Sequence, residues 1–135
     1  MRQRVSAARV ARLATVDGAG RPHVVPFCFV LDGDTIYSAV DHKPKTTTAL
    51  KRLDNVRSQP HVSVLVDHYD DDDWSQLWWI RMDGTGRVLD GGSERDRALS
   101  ELIDKYGQYR EHVPMGPVLA IDIARWSAWG SAALG

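Results

Sequence analysis

The segment LATVDGAGRPHVVPFCFVLDGDTIYSAV, residues 13–40, constrains the fold more than any other part of this 135-residue chain. Apolar β-formers alternate or run together along it, and the runs break at Asp17-Gly18 and again at Asp32-Gly33. Asp-Gly tolerates the positive φ of tight turns, so both breaks read as hairpin turns. Three consecutive antiparallel strands are predicted, over residues 12–17, 22–31 and 34–40. Pro22 and Pro26 both fall in the second. A proline gives no N–H to a ladder, which puts this strand at a sheet edge, at a bulge or against a ligand.

Further along, the period changes. Residues 5–12 carry a short amphipathic pattern, and TTTALKRLDN (46–55) reads as a helix capped by Thr46 or Thr47, with Leu50 and Leu53 inward and Lys51 and Arg52 outward. HVSVLVDHY (61–69) is a strand with Val62, Val64 and Val66 on one face. WSQLWWIRMDGTGRVLD (74–90) is a long strand kinked at DGTG. GGSERDRALSELIDKYGQY (91–109) is a helix with Ser93 and Asp96 as a capping box and an apolar stripe of Ala98, Leu99, Leu102, Ile103 and Tyr106. GPVLAIDIARWSAWG (116–130) adds a last strand. The sum is a mainly β chain with short helices, about six strands in a meander that closes into a small barrel. An open sheet with helices on one face is the competing architecture.

At this length one domain spans residues 1–135. Hydrophobic residues at 43% and charged residues at 26% make the balance globular, and a net charge of −1 excludes the global basic field that nucleic-acid binding uses. No stretch has the apolar length of a membrane span or the profile of a signal peptide, so a cytoplasmic chain with neither membrane nor nucleic-acid partners is expected. Cys28, the single cysteine, sits in an apolar run and is expected to be buried and inert. Five tryptophans are many for this length, and some are expected to line a cleft or an interface.

The segment DHKPKTTT, residues 41–48, carries the best candidate for chemistry. Lys43 and Lys45 are one residue apart and project the same way from an extended chain, and Pro44 stiffens the spacer between them. The start of the following helix offers free N–H groups and a positive dipole end, with the hydroxyls of Thr46, Thr47 and Thr48 close by. Cations, hydroxyls and a helix start together fit an anion such as phosphate. A solvated basic loop leading into a capped helix explains the same residues equally well. The histidines at 23, 42, 61, 68 and 112 show no metal-ligand spacing, and Asp70 to Asp73 lack the glycine and glutamate of a calcium loop, so no metal is expected and the acidic run reads as a solvated turn. No acid–base pair or nucleophile stands out, which leaves catalytic residues unassigned.

Taken in order, the Asp-Gly turn, GRPHVVP, the DGD turn, the basic pair, the helix and the strand NVRSQPHVSVLVD resemble the pyridoxamine 5′-phosphate oxidase-like family of split β-barrel proteins. The branch it looks most like uses the deazaflavin coenzyme F-420, with flavin mononucleotide (FMN) as the alternative. This resemblance implies a six-stranded, FMN-binding-like split barrel with meander or Greek-key connections. It also implies a homodimer with cofactor sites at the interface and a small-molecule substrate. Lys43 and Lys45 would then grip the coenzyme's phosphate, helped by Pro44 and Thr46. Arg21, His23, Val25 and Pro26 would lie along its ring and tail, and Ser38 and Val40 would line the pocket. Trp74, Trp78 or Trp79 (Trp79 foremost) would cover the ring from the partner subunit, and Arg125 would reach across the interface towards the tail or phosphate. The implied activity is hydride transfer between coenzyme F-420 and a small apolar substrate. An FMN-dependent reductase or oxidase and a non-catalytic carrier of either coenzyme are the alternatives. The chain lacks the extra basic residues by which vitamin B6 oxidases hold their substrate's phosphate, which argues against pyridoxamine oxidation.

Overall fold

The computed structural model describes residues 1–40 and 47–134. A short helix, α1 (Arg2–Ala7), leads into β1 (Ala11–Val16), β2 (Pro22–Phe27), β3 (Val30–Asp32) and β4 (Thr35–Ala39). Next come α2 (Thr47–Ser58), β5 (His61–His68), β6 (Trp78–Leu89), α3 (Ser93–Lys105), α4 (Gly107–Glu111) and β7 (Val118–Gly130). The strands form one antiparallel sheet in the order β2-β1-β5-β6-β7-β4-β3.

That order forces the sheet to curl. Its two edge strands, β2 and β3, are consecutive in the chain, with only Cys28 and Phe29 between them. Laid flat, seven strands would hold their edges about 29 Å apart. The three steps from Phe27 to Val30 reach only about 11 Å. The sheet therefore bends round until its edges meet. The predicted strand 22–31 is thus two strands, and the described residues form seven strands where about six were expected.

The switch at Cys28–Phe29 has a visible cause. The Tyr106 hydroxyl accepts the N–H of Phe29 at 3.1 Å, and it lies 2.9 Å from the Arg9 carbonyl and 3.1 Å from that of Phe29. Lys105 Nζ donates to the Phe29 carbonyl at 2.8 Å. Side chains at the end of α3 thus take up backbone groups that a continuous strand would have offered to a ladder. Alternation of side chains continues across the bend. Phe27 and Phe29 enter the first hydrophobic core, whereas Val30 enters the second.

The first core lies inside the curled sheet, filled by Leu13, Phe29, Ile36, Val64, Ile80, Met82, Leu119 and Ile121, and covered by Leu53 and Val56 of α2. Gly86 lets α2 approach: a Cβ there would stand 2.7 Å from Val56 Cγ1. Asn55 of the same helix donates to Thr15 Oγ1 at 3.0 Å, a buried polar pair that fixes α2 over β1. The second core lies where Ala98, Leu102 and Tyr106 of α3 pack on Tyr37, Ala39, Val118 and Ala120. The kink expected at DGTG is a register shift between Asp83 and Gly84. Gly84 is required there, because a Cβ would fall 2.1 Å from the Asp122 carbonyl oxygen.

Two local expectations are corrected. Ser93 is the first residue of α3 and forms no capping box: the N-cap is Gly92, at φ +99°, without a side-chain cap. Glu94 instead joins α3 to the sheet, since Arg87 donates to both its carboxylate oxygens at 2.8 and 2.7 Å and to Asp122 at 2.6 and 3.0 Å. The Tyr37 hydroxyl adds a bond to Glu94 at 2.7 Å. Second, Arg52 is half-buried where an outward side chain was expected, and burial lowers its pKa.

Replacing Tyr106 by Phe leaves the Phe29 N–H without its acceptor and is expected to cost about 1–3 kcal/mol, read by chemical denaturation. An unchanged midpoint would mean the bend is held by something else. Arg87 and then Tyr37 hold the Glu94 carboxyl down to about 2, below the ordinary carboxylate value of 4.5. A carboxylate depressed on folding gives stability that is complete above its unfolded pKa and is lost as pH falls through its folded one. Thermal stability should therefore decline from about pH 4.5 to 2, and Arg87→Met should flatten that limb. A limb of equal steepness in the variant would remove Glu94 as its source.

Candidate functional site on the outer face of the sheet

Strand alternation divides the residues of β1, β2, β5 and β6 between the core and an open outer face. Leu13, Val64 and Met82 point inward, so Arg12, Ala14, Ser63, Leu65, Arg81 and Asp83 point outward, as do Val24 and Pro26 of β2. A groove of about 480 Å3 runs over this face, with Ala14, Val24, Leu65 and Trp79 as apolar lining and Arg12, Arg81, Asp67 and Ser63 as polar groups. A second groove of about 400 Å3 adjoins it through Ala14 and Ser63 and extends to Pro22, His61, Asp83 and Ala124.

Asp83 organises the boundary between the two. It accepts Ser63 Oγ at 2.6 Å and pairs with Arg81 at 3.1 Å. The Arg81 guanidinium stands 6.0 Å from the centre of the Trp79 ring. Val24 is 65% exposed and Trp129, paired with Trp79 across β6 and β7, is 52% exposed. This much apolar surface on one face fits an interface or a ligand platform better than plain solvent contact.

The turn from β1 to β2 sets the end of this face. The Asp17 carboxylate accepts the N–H groups of Ala19 and Arg21, both at 2.9 Å, and lies 3.4 Å from His23 Nε2. The Arg21 N–H first, and then those other contacts, lower the Asp17 pKa against a partial offset from desolvation. Gly20 supplies the left-handed turn position at φ +83°. The edge position expected from Pro22 and Pro26 is observed, since β2 pairs only with β1.

The residues singled out in the sequence fall in several places. Trp79 lines the groove, Pro26 lies on the same outer face, and Arg125, opposite Asp83, is exposed. His23 and Val25 share the opposite face of β2, where Val25 packs on the first core. Ser38 and Val40 are buried, 2% and 6% exposed, with Val40 in that same core. Arg21 lies at the turn. Lys43, Pro44, Lys45 and Thr46 lie outside the described residues.

Arg12, Ala14, Ser63, Leu65 and Arg81 were not singled out, although period-two alternation puts all five opposite the core positions of their strands. The acidic run matches its expectation: Asp70 accepts the N–H groups of Asp72 and Asp73, and Asp73 that of Ser75, all exposed. Cys28 is half-exposed beside the second core, not buried. Among the described residues no group of three or more His, Cys, Asp or Glu side chains could hold a metal ion. No helix among them is long and apolar enough to cross a membrane.

The sequence pattern of the pyridoxamine 5′-phosphate oxidase family matches residues 1–130. The chain belongs to that family. A conserved hypothetical protein of Mycobacterium tuberculosis is similar in structure, with a TM-score of 0.75 at 20% identity over 99% of this chain and 84% of its own. The heme storage protein HutZ of Vibrio cholerae gives 0.70 at 18% identity, over 96% and 88%. A Listeria innocua protein provisionally named a pyridoxamine 5′-phosphate oxidase gives 0.67 at 23%, over 96% and 94%. No curated protein sequence matches. At these identities the solved structures establish the family's fold for this chain and nothing finer.

Proposed function

We propose that the chain is a coenzyme-dependent oxidoreductase that uses coenzyme F-420, with FMN as the alternative coenzyme, on a small apolar substrate. The observation that carries this reading is the groove on the outer face, in a member of an oxidase family. Its volume lies within the range of small-molecule sites, its lining is apolar, and cations flank it. Such a groove fits the flat ring of either coenzyme. When bound, the coenzyme supplies the hydride chemistry. The protein's own residues then have three tasks. Trp79, Val24 and Leu65 offer the ring an apolar bed, and Arg12 and Arg81 offer charge to its polar edge. Lys43, Lys45 and Thr46 hold the phosphate.

The proposal includes a homodimer in which the outer faces of two copies cover each other and exclude water from the sites. Exposed Val24 and Trp129, with Leu65 between the strands that bear Val24 and Trp79, give that contact its apolar centre. A buried carboxylate without a partner is costly. Val24→Asp, whose cross-strand neighbour is Ala14, is therefore expected to convert a dimer into a folded monomer in sedimentation experiments. A wild-type protein that sediments as a monomer at all concentrations would end this part of the reading.

Coenzyme choice is tested by titrating the apo-protein in parallel with F-420, FMN and haemin. Quenching of F-420 fluorescence at micromolar concentration, with weaker flavin binding, is expected. The haemin arm answers the likeness to a heme storage protein: a sharp Soret shift with neither other ligand binding would favour a haem-handling role. Loss of one charge-assisted phosphate contact costs about 1.5–3 kcal/mol, roughly tenfold to 150-fold in affinity. Lys45→Ala should weaken coenzyme binding by that order. Unchanged affinity in both Lys45→Ala and Lys43→Ala would remove the phosphate assignment. Tight binding without turnover across a panel of enones and quinones would leave a carrier.

A further inference from the structure

Strand register sets three polar side chains of the outer-face groove in a definite order. Arg12 of β1 stands opposite Leu65 of β5, and Leu65 stands opposite Arg81 of β6. Asp67 lies two residues further along β5, on the same face, opposite Trp79. Adjacent strands are about 4.8 Å apart, so the arginines rise from strands about 10 Å apart, with the strand of Asp67 running between them. All three side chains line the same groove. Asp67 is displaced by about 7 Å along β5, a step that an arginine side chain is long enough to span.

Arg81 leans towards that step and is held there. Its guanidinium stands 6.0 Å from the centre of the Trp79 ring, the cross-strand neighbour of Asp67. Its Nε meets Asp83 Oδ1 at 3.1 Å and Oδ2 at 3.3 Å. The Ser63 hydroxyl donates to the same carboxylate at 2.6 Å and fixes Asp83 in turn. Among the described residues only Nε is engaged, so both Nη groups keep their donors for a ligand. A guanidinium only donates and an ionised carboxylate only accepts. From β1 to β6 the groove therefore offers donor, acceptor, donor.

That order complements a cyclic imide, in which an N–H lies between two carbonyl groups on one edge of a planar ring. The dione edge of flavin and deazaflavin rings, C2=O, N3–H and C4=O, is such an imide. A phosphate or carboxylate would satisfy the arginines but bring a second negative charge up to Asp67. A ring with no polar edge would use none of the three.

We propose that Arg12, Asp67 and Arg81 recognise the imide edge of the coenzyme's ring, Asp67 accepting the ring N–H and the two guanidinium groups donating to the flanking carbonyls. The assignment rests on the reading that the ring lies in this groove, and it holds for either coenzyme because both carry the edge. Asp83 is a positioning residue that acts through Arg81. Hydrogen bonds to charged groups are the stronger kind, and cover by a second copy would strengthen them further by excluding water.

The test compares riboflavin, which carries the ring but no phosphate, with 3-methylriboflavin, in which a methyl group replaces the imide hydrogen. The corresponding 5-deazariboflavins form a second pair. Affinity is read from ligand fluorescence, and location from amide NMR shifts at Ala14, Leu65 and Trp79. In at least one pair the unmethylated ring is expected to move those amides and to bind about tenfold or more tightly than its methylated analogue. Asp67→Ala should remove most of that preference by weakening the unmethylated ring and not its analogue. Asp72→Ala, on the exposed acidic turn, should keep the preference. A substitution that merely disturbed the strand would weaken both ligands together.

Asp83→Asn should weaken the unmethylated ring in the otherwise wild-type chain and have no further effect beside Arg81→Met. Equal losses in both backgrounds would overturn the positioning role. Equal affinity of the wild-type chain for both members of each pair, with the groove amides moving, would overturn the imide site and leave the ring in the groove. Groove amides that stay still with every ring would overturn both readings. The ligand pairs decide the question in the wild-type chain even where a variant fails to fold.

Discussion

Everything in this molecule depends on a two-residue connection. Cys28 and Phe29 join strands that belong to opposite edges of the same sheet, and no flat arrangement can satisfy so short a link. Curling follows, and with it an enclosed core, a helix to close its end and an outer face left open. The connection itself is unremarkable in sequence. It is enforced from a distance by Lys105 and Tyr106, 76 and 77 residues further on, whose side chains hold the backbone of Phe29. Local chain geometry and long-range polar contacts thus share one task.

The same division explains which parts of the fold were legible in advance. Turns at Asp17 and Asp32, the edge position of β2, the inward valines of β5 and, of the apolar stripe, Ala98, Leu102 and Tyr106 all follow from short-range chemistry, and each is observed, whereas Leu99 and Ile103 stay half-exposed. The break at Cys28–Phe29 carries no turn residue, and its apolar alternation runs straight through, so nothing nearby announces it. Ser93 looked like a cap because the sequence pattern ignores what lies opposite. In the fold, Glu94 is drawn to Arg87 and Tyr37, and Gly92 takes the cap position.

The candidate site was legible only in part, for a related reason. Trp79 and Pro26 reach the outer face, but Val25 belongs to the core because β-alternation sends neighbours to opposite sides. Naming consecutive residues of one strand as a single lining set ignores that alternation. Arg12, Ser63, Leu65 and Arg81 look like ordinary surface residues until pairing of β1, β5 and β6 brings them side by side. Arg52 is the reverse case: a cation that helical spacing puts in solvent is half withdrawn from it.

The joint at Cys28–Phe29 also has a consequence for how this chain could be rewired. New termini are usually best tolerated where a connection lacks regular structure. Here such a permutation would sever the only covalent tether across the seam and let the can unroll into a ribbon. Two rows of unsatisfied backbone groups would then be free to recruit strands from other molecules. Engineering of this scaffold should open it at the Asp17–Gly20 or Asp32–Gly33 turns, and leave the seam stitched.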